Sequence, residues 1–319
     1  MFRGFTIVVL LLVLVGCSAS EKKGTTEIIA GTSLIADIIA DVTDASVATY
    51  TLLPSSSCPS QFDMKASDIG RLQQSRLIFL HPWQLQLANI RRVLEAAKIP
   101  EDRIRIVEVP GNWMVPEVQV DAAKTLAAIL IALYPEEPAS IQQRVENRIN
   151  EINTTAKRAE ALINTAKGIP ILCNEMQAPF LRWAGFDVVA TYARPEDWSV
   201  AETERLVALG REHKVALVVD NLQSGGLRMS ETLARDIGAI NVVLSNFPKG
   251  LPATPTWQTT FMENIHRLHK ALETSLNVGV ASNPACKHHK KSSTVIARHE
   301  AISLTDKLSC NTRLLRASQ

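Results

Sequence analysis

Residues 138–167 read PASIQQRVENRINEINTTAKRAEALINTAK, and the fold turns on them. After Pro138 the stretch holds neither Gly nor Pro. Apolar residues Ile141, Val145, Ile149 and Ile152 recur at steps of three and four, the period of one helix face. The spacing predicts a single helix of about 28 residues, near 40 Å long. A coiled-coil arm would show a similar pattern. A spine between two lobes fits better, because a block of alternating strands and helices stands on either side.

The block before the spine opens with EIIAGT (27–32), a short β-branched run, followed by SLIADIIADV (33–42), which has the helical period. Thr32 and Ser33 stand where a helix cap belongs. SVATYTLL (46–53) reads as a strand, SDIGRLQQ (67–74) as a helix opened by Ser67-Asp68, RLIFL (76–80) as a strand. LQLANIRRVLEAAK (85–98) reads as a helix, RIRIVEV (103–109) as a strand and VDAAKTLAAILIALY (120–134) as a helix. The block after the spine repeats the grammar. IPILC, FDVVATY, KVALVVD and INVVLS are strands, APFLRWAG, SVAETERLVALGREH and MSETLARDIG the helices between them, and WQTTFMENIHRLHKALETSL (257–276) closes the body. Strands alternating with helices argue for mainly parallel sheets covered on both faces. The fold class is therefore α/β: two lobes with mainly parallel sheets joined by one long rigid helix. The lobes are expected over residues 27–135 and 168–276, with the linker helix over 136–167.

The two ends read differently. Arg3 precedes an apolar run over residues 7–16, which is too short for a spanning helix of about 20 residues. It fits the apolar region of an export signal. The run ends in Leu14-Val15-Gly16-Cys17, which resembles a lipobox, so residues 1–17 are expected to be a lipoprotein signal peptide with Cys17 as the lipidated residue. Residues 18–26 read as a polar tether. After Leu276 the period is lost, and residues 277–319 read as a divergent tail: disordered, a His/Lys tract, or an extension out of frame. From residue 283 on, seven Lys or Arg stand against two Asp or Glu, so the tail carries +5 of a chain whose total is +2, leaving the body at −3. The basic balance thus gives no support for nucleic-acid binding by the body. With 46% hydrophobic residues the chain can bury a core and is not a disordered one. Cys173 ends an apolar strand and reads as a buried small hydrophobe, whereas Cys58 sits in a polar loop.

Lipoprotein signal, two α/β blocks and a long connecting helix together resemble the substrate-binding proteins of zinc and manganese ABC importers, the TroA-like cluster. The resemblance covers about residues 25–275. It rests on Thr32-Ser33-Leu34-Ile35-Ala36-Asp37 after the first strand, Leu52-Leu53-Pro54 ending the second, and Ser67-Asp68-Ile69. It implies a divalent ion held between the lobes by imidazole and carboxylate groups, typically three His plus an Asp or Glu, a set that suits zinc. It also implies delivery to ABC permease and ATPase subunits, an extracytoplasmic location, and membrane attachment through the lipid. A monomer is expected.

At almost every ligand position this sequence departs from the pattern the resemblance implies. Where most members have Asp-Pro-His, the loop reads Cys58-Pro59-Ser60-Gln61-Phe62-Asp63. The next loop is Gly111-Asn112-Trp113-Met114, the third Asn174-Glu175-Met176-Gln177, and the last Ser245-Asn246-Phe247-Pro248. A further loop, Asp220-Asn221-Leu222-Gln223, is also rich in amides. Candidate metal ligands are therefore Cys58, His81, Glu175 and Asp220, since amide oxygens ligate weakly. Gln61, Asp63, Asn112, Met114, Asn174, Gln177, Asn221, Gln223 and Asn246 are expected to line the cleft. In the alternative reading the amides bond one another or cap helices, and His81 opens a helical turn through His81-Pro82-Trp83.

Three functions remain open: capture of a zinc- or manganese-class ion or a small metal complex; a degenerate relative taking another polar ligand or no metal; and an enzyme. No Gly-x-Ser-x-Gly elbow, phosphate-cradling Gly loop or His-Glu-x-x-His pair is present, so a binding protein is expected rather than an enzyme.

Overall fold

The structure, a computed structural model, describes residues 27–194 and 197–282. The signal peptide, Cys17, the tether and the tail beyond residue 282 lie outside the described residues. The described residues up to Ala271 fall in one compact unit. Of the second, Leu272–Gln319, the described part is the end of the last helix.

The first lobe carries β1 (Ile28–Ala30), α1 (Ser33–Val42), β2 (Thr49–Thr51), α2 (Ala66–Gln74), β3 (Leu77–Leu80), α3 (Ala88–Ala96), β4 (Ile104–Ile106) and α4 (Pro116–Leu133). The spine is α5 (Pro138–Ile163). The second lobe carries β5 (Pro170–Asn174), α6 (Ala178–Trp183), β6 (Asp187–Tyr192), α7 (Val200–Glu212), β7 (Leu217–Asn221), α8 (Leu227–Ile237) and β8 (Ile240–Leu244), followed by α9 (Trp257–Ser282).

Each lobe holds a four-stranded sheet, ordered β2-β1-β3-β4 and β6-β5-β7-β8, so the two lobes share one topology. Every pairing is parallel, with Ile28 opposite both Thr49 and Leu77, and Leu217 opposite Ile171 and Ile240. Parallel pairing follows from helices that cover both faces, and the central strands read as continuous apolar runs for the same reason. Ile28, Ile29, Ile78, Phe79, Leu80, Leu217, Val218 and Val219 are all buried. In this strand order the connections reverse direction between β1 and β3, and again between β5 and β7. Open α/β sheets bind ligands at the carboxyl ends of strands beside such reversals.

The spine corrects one expectation in an instructive way. Its buried face runs Ile141, Val145, Arg148, Ile152, Ala156, Ala159, Ile163. Arg148 occupies the place expected of Ile149, which is only half-buried. The guanidinium reaches α1, pairing with Asp37 at 2.8 Å and with Asp41. Asp37 Oδ2 also accepts the backbone N–H of Trp257 at 3.1 Å, at the start of α9. One buried cluster thus ties the spine, the first lobe and the last helix. Trp257 is fully buried, stacks on Phe261, and donates its Nε1–H to Trp113 O at 2.8 Å. The last helix continues through Ser282, six residues beyond the point where the sequence period stops.

Candidate functional site at the interlobe seam

The site begins with the two strand-end crevices. In the first lobe, Thr32 follows β1 and His81 follows β3, on either side of the reversal. Thr32 stands at the N-cap of α1 but its side chain makes no capping bond. Its Oγ1 lies 2.9 Å from His81 Nε2 instead. His81 is 3% exposed, with its ring against Trp113 (centroids 4.4 Å apart) and Trp83 (5.5 Å). Burial lowers its pKa to about 3, so the ring is neutral. His81 N–H donates to Gln84 Oε1, and Gln84 Nε2 donates to Gly31 O at 3.2 Å. A Cβ on Gly31 would lie 2.2 Å from Gln84 Oε1, so only glycine admits this plug.

The second lobe fills its crevice the same way. Gln177, after β5, donates Nε2–H to Asn221 Oδ1, at the end of β7, at 3.1 Å. Asn221 Nδ2 in turn donates to Ser224 Oγ at 2.9 Å. Asn174 caps the turn that follows β5 by accepting Met176 N–H at 3.0 Å. Asp220 is buried, its Oδ1 accepting Asn221 N–H at 2.7 Å. Burial raises its pKa, against the hydrogen bonds from Ser230 and Asn221 N–H.

Between the lobes a chain of amides joins backbone to backbone. Asn112 Nδ2 donates to Met176 O at 2.6 Å and to Asn246 Oδ1 at 3.0 Å, and its Oδ1 accepts Met114 N–H at 2.7 Å. Gln223 Nε2 donates across the seam to Ser55 O at 2.7 Å and within its own lobe to Ser245 Oγ at 2.9 Å. Gln223 Oε1 accepts Asn246 N–H at 3.0 Å. Ser33 Oγ adds a bond to Pro248 O at 2.7 Å, and Arg194 reaches Ser60 Oγ at 3.1 Å. Gly250 lies under the chain: a Cβ there would meet Ser245 Oγ at 2.2 Å and Gln223 Nε2 at 3.0 Å.

The structure therefore brings Asn112, Asn246 and Gln223 into one network, and joins Gln177 to Asn221 in another. Met114 is buried beside Asn112, and Glu175 is exposed next to Met176 at the seam. Gln61 is exposed on the facing loop, its Oε1 3.8 Å from where a Cβ on Gly225 would stand, and Asp63 is exposed beyond it. Cys58 is half-buried, with Sγ 3.3 Å from Ser60 Oγ.

Cys58, His81, Glu175 and Asp220 are not assembled as a ligand set. Among the described residues no three His, Cys, Asp or Glu side chains stand where they could hold one ion. The reason is local: His81 and Asp220 are buried and bonded within their own lobes, while Cys58 is half-buried and Glu175 exposed. Cys173 is fully buried and its thiol is pushed up to about 12 by burial.

Sequence reasoning missed Arg148, Ser33 and Ser55. A charged residue at the seven-residue-spaced core position of the spine was the available signal for Arg148. Ser55 contributes only a carbonyl, which side-chain chemistry cannot announce.

Comparison with solved structures agrees with the architecture. A zinc-bound deletion mutant of ZnuA matches with a TM-score of 0.64 at 16% identity, covering 77% of this chain and 98% of that one. ZnuA itself matches at 0.65 and 15%, covering 77% and 99%. The cadmium-bound periplasmic metal-binding protein from Candidatus Liberibacter asiaticus matches at 0.66 and 14%, covering 77% and 99%. At these identities the likeness shows the fold. No curated protein matches the chain. The family model described as ZnuA, zinc-uptake complex component A, periplasmic, matches residues 28–271, most of the chain. Two like-wound parallel lobes, a spine between them and this match place the chain in one group: it belongs to the ZnuA family.

Proposed function

We propose that the chain is the extracytoplasmic substrate-binding component of an importer for a divalent metal of the zinc or manganese class, taken as the ion or as a small metal complex. It passes its cargo to a membrane permease driven by an ATPase subunit and binds rather than catalyses. The observation that carries this reading is the meeting of two strand-end surfaces across a polar seam, within a family described as periplasmic zinc-uptake components. Strand ends are where such sheets hold ligands. Glu175, exposed, and Cys58, half-buried, are metal-ligating side chains beside the seam, and the amides of Asn112, Gln223 and Asn246 line it. Lipid attachment at Cys17 would hold the protein next to the permease.

The test is accumulation of radioactive zinc and manganese by host cells lacking this protein, with and without the full chain restored. Restored uptake of either metal at sub-micromolar supply is the expected result. Identical uptake with and without the chain overturns the reading.

A further inference from the structure

Beside the two crevices, which the protein's own side chains plug, a cavity lies at the edge of the first sheet. It has a volume of about 260 Å³ and is lined by residues 50–55 at the end of β2, by Phe62 in the loop that follows, by Lys65 and Asp68 at the start of α2, and by Lys249 from the opposite lobe. At about 30 Å³ per water that is room for roughly eight or nine waters, the bulk of a small di- or tricarboxylate. It adjoins the seam directly, because Ser55 O accepts Gln223 Nε2.

The charges in this cavity do not cancel. Asp68 is buried and already committed: its Oδ1 accepts Tyr50 O–H at 3.1 Å and lies 3.8 Å from Arg71, and its Oδ2 accepts Lys65 N–H at 2.8 Å. Arg71 also lies over the Tyr50 ring, 4.3 Å from its centroid. Asp68 is thus balanced by Arg71, which leaves the ammonium groups of Lys65 and Lys249 without a carboxylate partner among the described residues. Lys249 is carried on a loop pinned to the first lobe. Its own N–H donates to Thr254 O at 2.5 Å, and the preceding carbonyl, Pro248 O, accepts Ser33 Oγ at 2.7 Å. Each lobe thus contributes one lysine to the lining of this cavity.

Two lysines lining one cavity favour an anion with more than one oxyanion group. The seam alongside offers amides and few metal ligands, so a bare ion would find few strong donors there. A chelated ion brings its donors with it. We propose that this cavity takes the carboxylates of a small polycarboxylate that carries the divalent metal into the seam as a chelate. The proposal rests on the metal-uptake reading above.

The experiment is titration calorimetry on the full chain in detergent, using citrate, zinc–citrate, inorganic phosphate and zinc ion as probes. Zinc–citrate should bind more tightly than citrate or zinc alone. Lys65→Gln and Lys249→Gln should each weaken citrate and zinc–citrate by about fivefold or more, as expected for loss of one charge-assisted contact. They should leave the zinc isotherm unchanged, and Lys98→Gln, in the exposed turn after α3, should change nothing. Both lysine variants lie at the surface, and unchanged circular dichroism verifies their folding. Absent citrate binding, or citrate binding indifferent to both lysines, overturns the proposal. Phosphate binding that equals citrate and depends on the lysines also overturns it, in favour of a phosphate site. Zinc uptake that persists in Lys65→Gln/Lys249→Gln cells would keep the family function and sink the chelate.

Discussion

The sharpest expectation concerns His81 and acid. In the folded protein its ring is buried between Trp113 and Trp83, with a pKa of about 3, against an ordinary value of 6.5 in the unfolded chain. A depressed pKa means that the unfolded chain binds one more proton over the interval between the two values. Stability from this group is therefore fully present above pH 6.5 and is lost as pH falls toward 3. Between pH 7 and pH 5 the loss comes to about 2 kcal/mol, approaching about 1.4 kcal/mol per pH unit. In urea that is a midpoint lower by about 0.5–1 M at pH 5. The assay is urea unfolding followed by far-ultraviolet circular dichroism at half-unit steps from pH 7 to pH 5, on the parent and on His81→Gln. Gln can still reach Thr32 Oγ1 but does not titrate. Carboxylates and the other histidines titrate in both proteins, so the difference between the two curves isolates His81. It should widen by about 2 kcal/mol as pH falls from 7 to 5. Parallel curves would refute the argument, because they would mean that the imidazole takes up its proton equally well in both states.

Arg148→Ala strips the counter-charge from Asp37, whose side chain is 7% exposed, and should cost about 3–5 kcal/mol, or roughly 6–20 °C in melting temperature. Asp41→Ala, at a site 37% exposed, should cost far less, and equal losses in thermal melts would contradict the buried-pair account. Asn112→Ala removes the bonds to Met176 O and Asn246 Oδ1, leaving Asn246 Oδ1 without this donor and Met176 O with the 3.4 Å bond from Asn246 Nδ2. Hydrogen exchange should speed up in residues 174–177 and 245–250 while the spine stays protected, at a cost of about 0.5–1.5 kcal/mol. Unchanged exchange there would show that the amide chain does not hold the lobes. Cys17→Ser should move the protein from the membrane to the soluble fraction of its host, and continued membrane fractionation would reject lipid attachment at that residue.

Much of the architecture was legible in the sequence because periodicity is a local property. The two-residue alternation and buried runs of the strands, the three-and-four steps of α1 and α5, and the order strand–helix–strand each depend on neighbours along the chain. They were enough to determine two parallel α/β lobes and a spine. The departures arose where a side chain's partner is remote in sequence. Ile149 reads as a core position, yet Arg148 is buried there, because Asp37 and Asp41 lie across the packed helices to receive it. Thr32 reads as a cap, yet its hydroxyl turns to His81, 49 residues away.

The same distinction governs the site. Composition shows that the loops after the strands carry amides where the family resemblance leads one to expect imidazoles, and that much belongs to the sequence. Only the tertiary structure decided which of those groups meet. Asn112 finds Asn246, Gln223 finds Ser55 O, Gln177 finds Asn221, and His81 and Asp220 are buried with bonds inside their own lobes. A buried polar atom must be paired wherever the fold places it. Its direction is therefore set by donors and acceptors brought in from distant segments, and no local pattern encodes them.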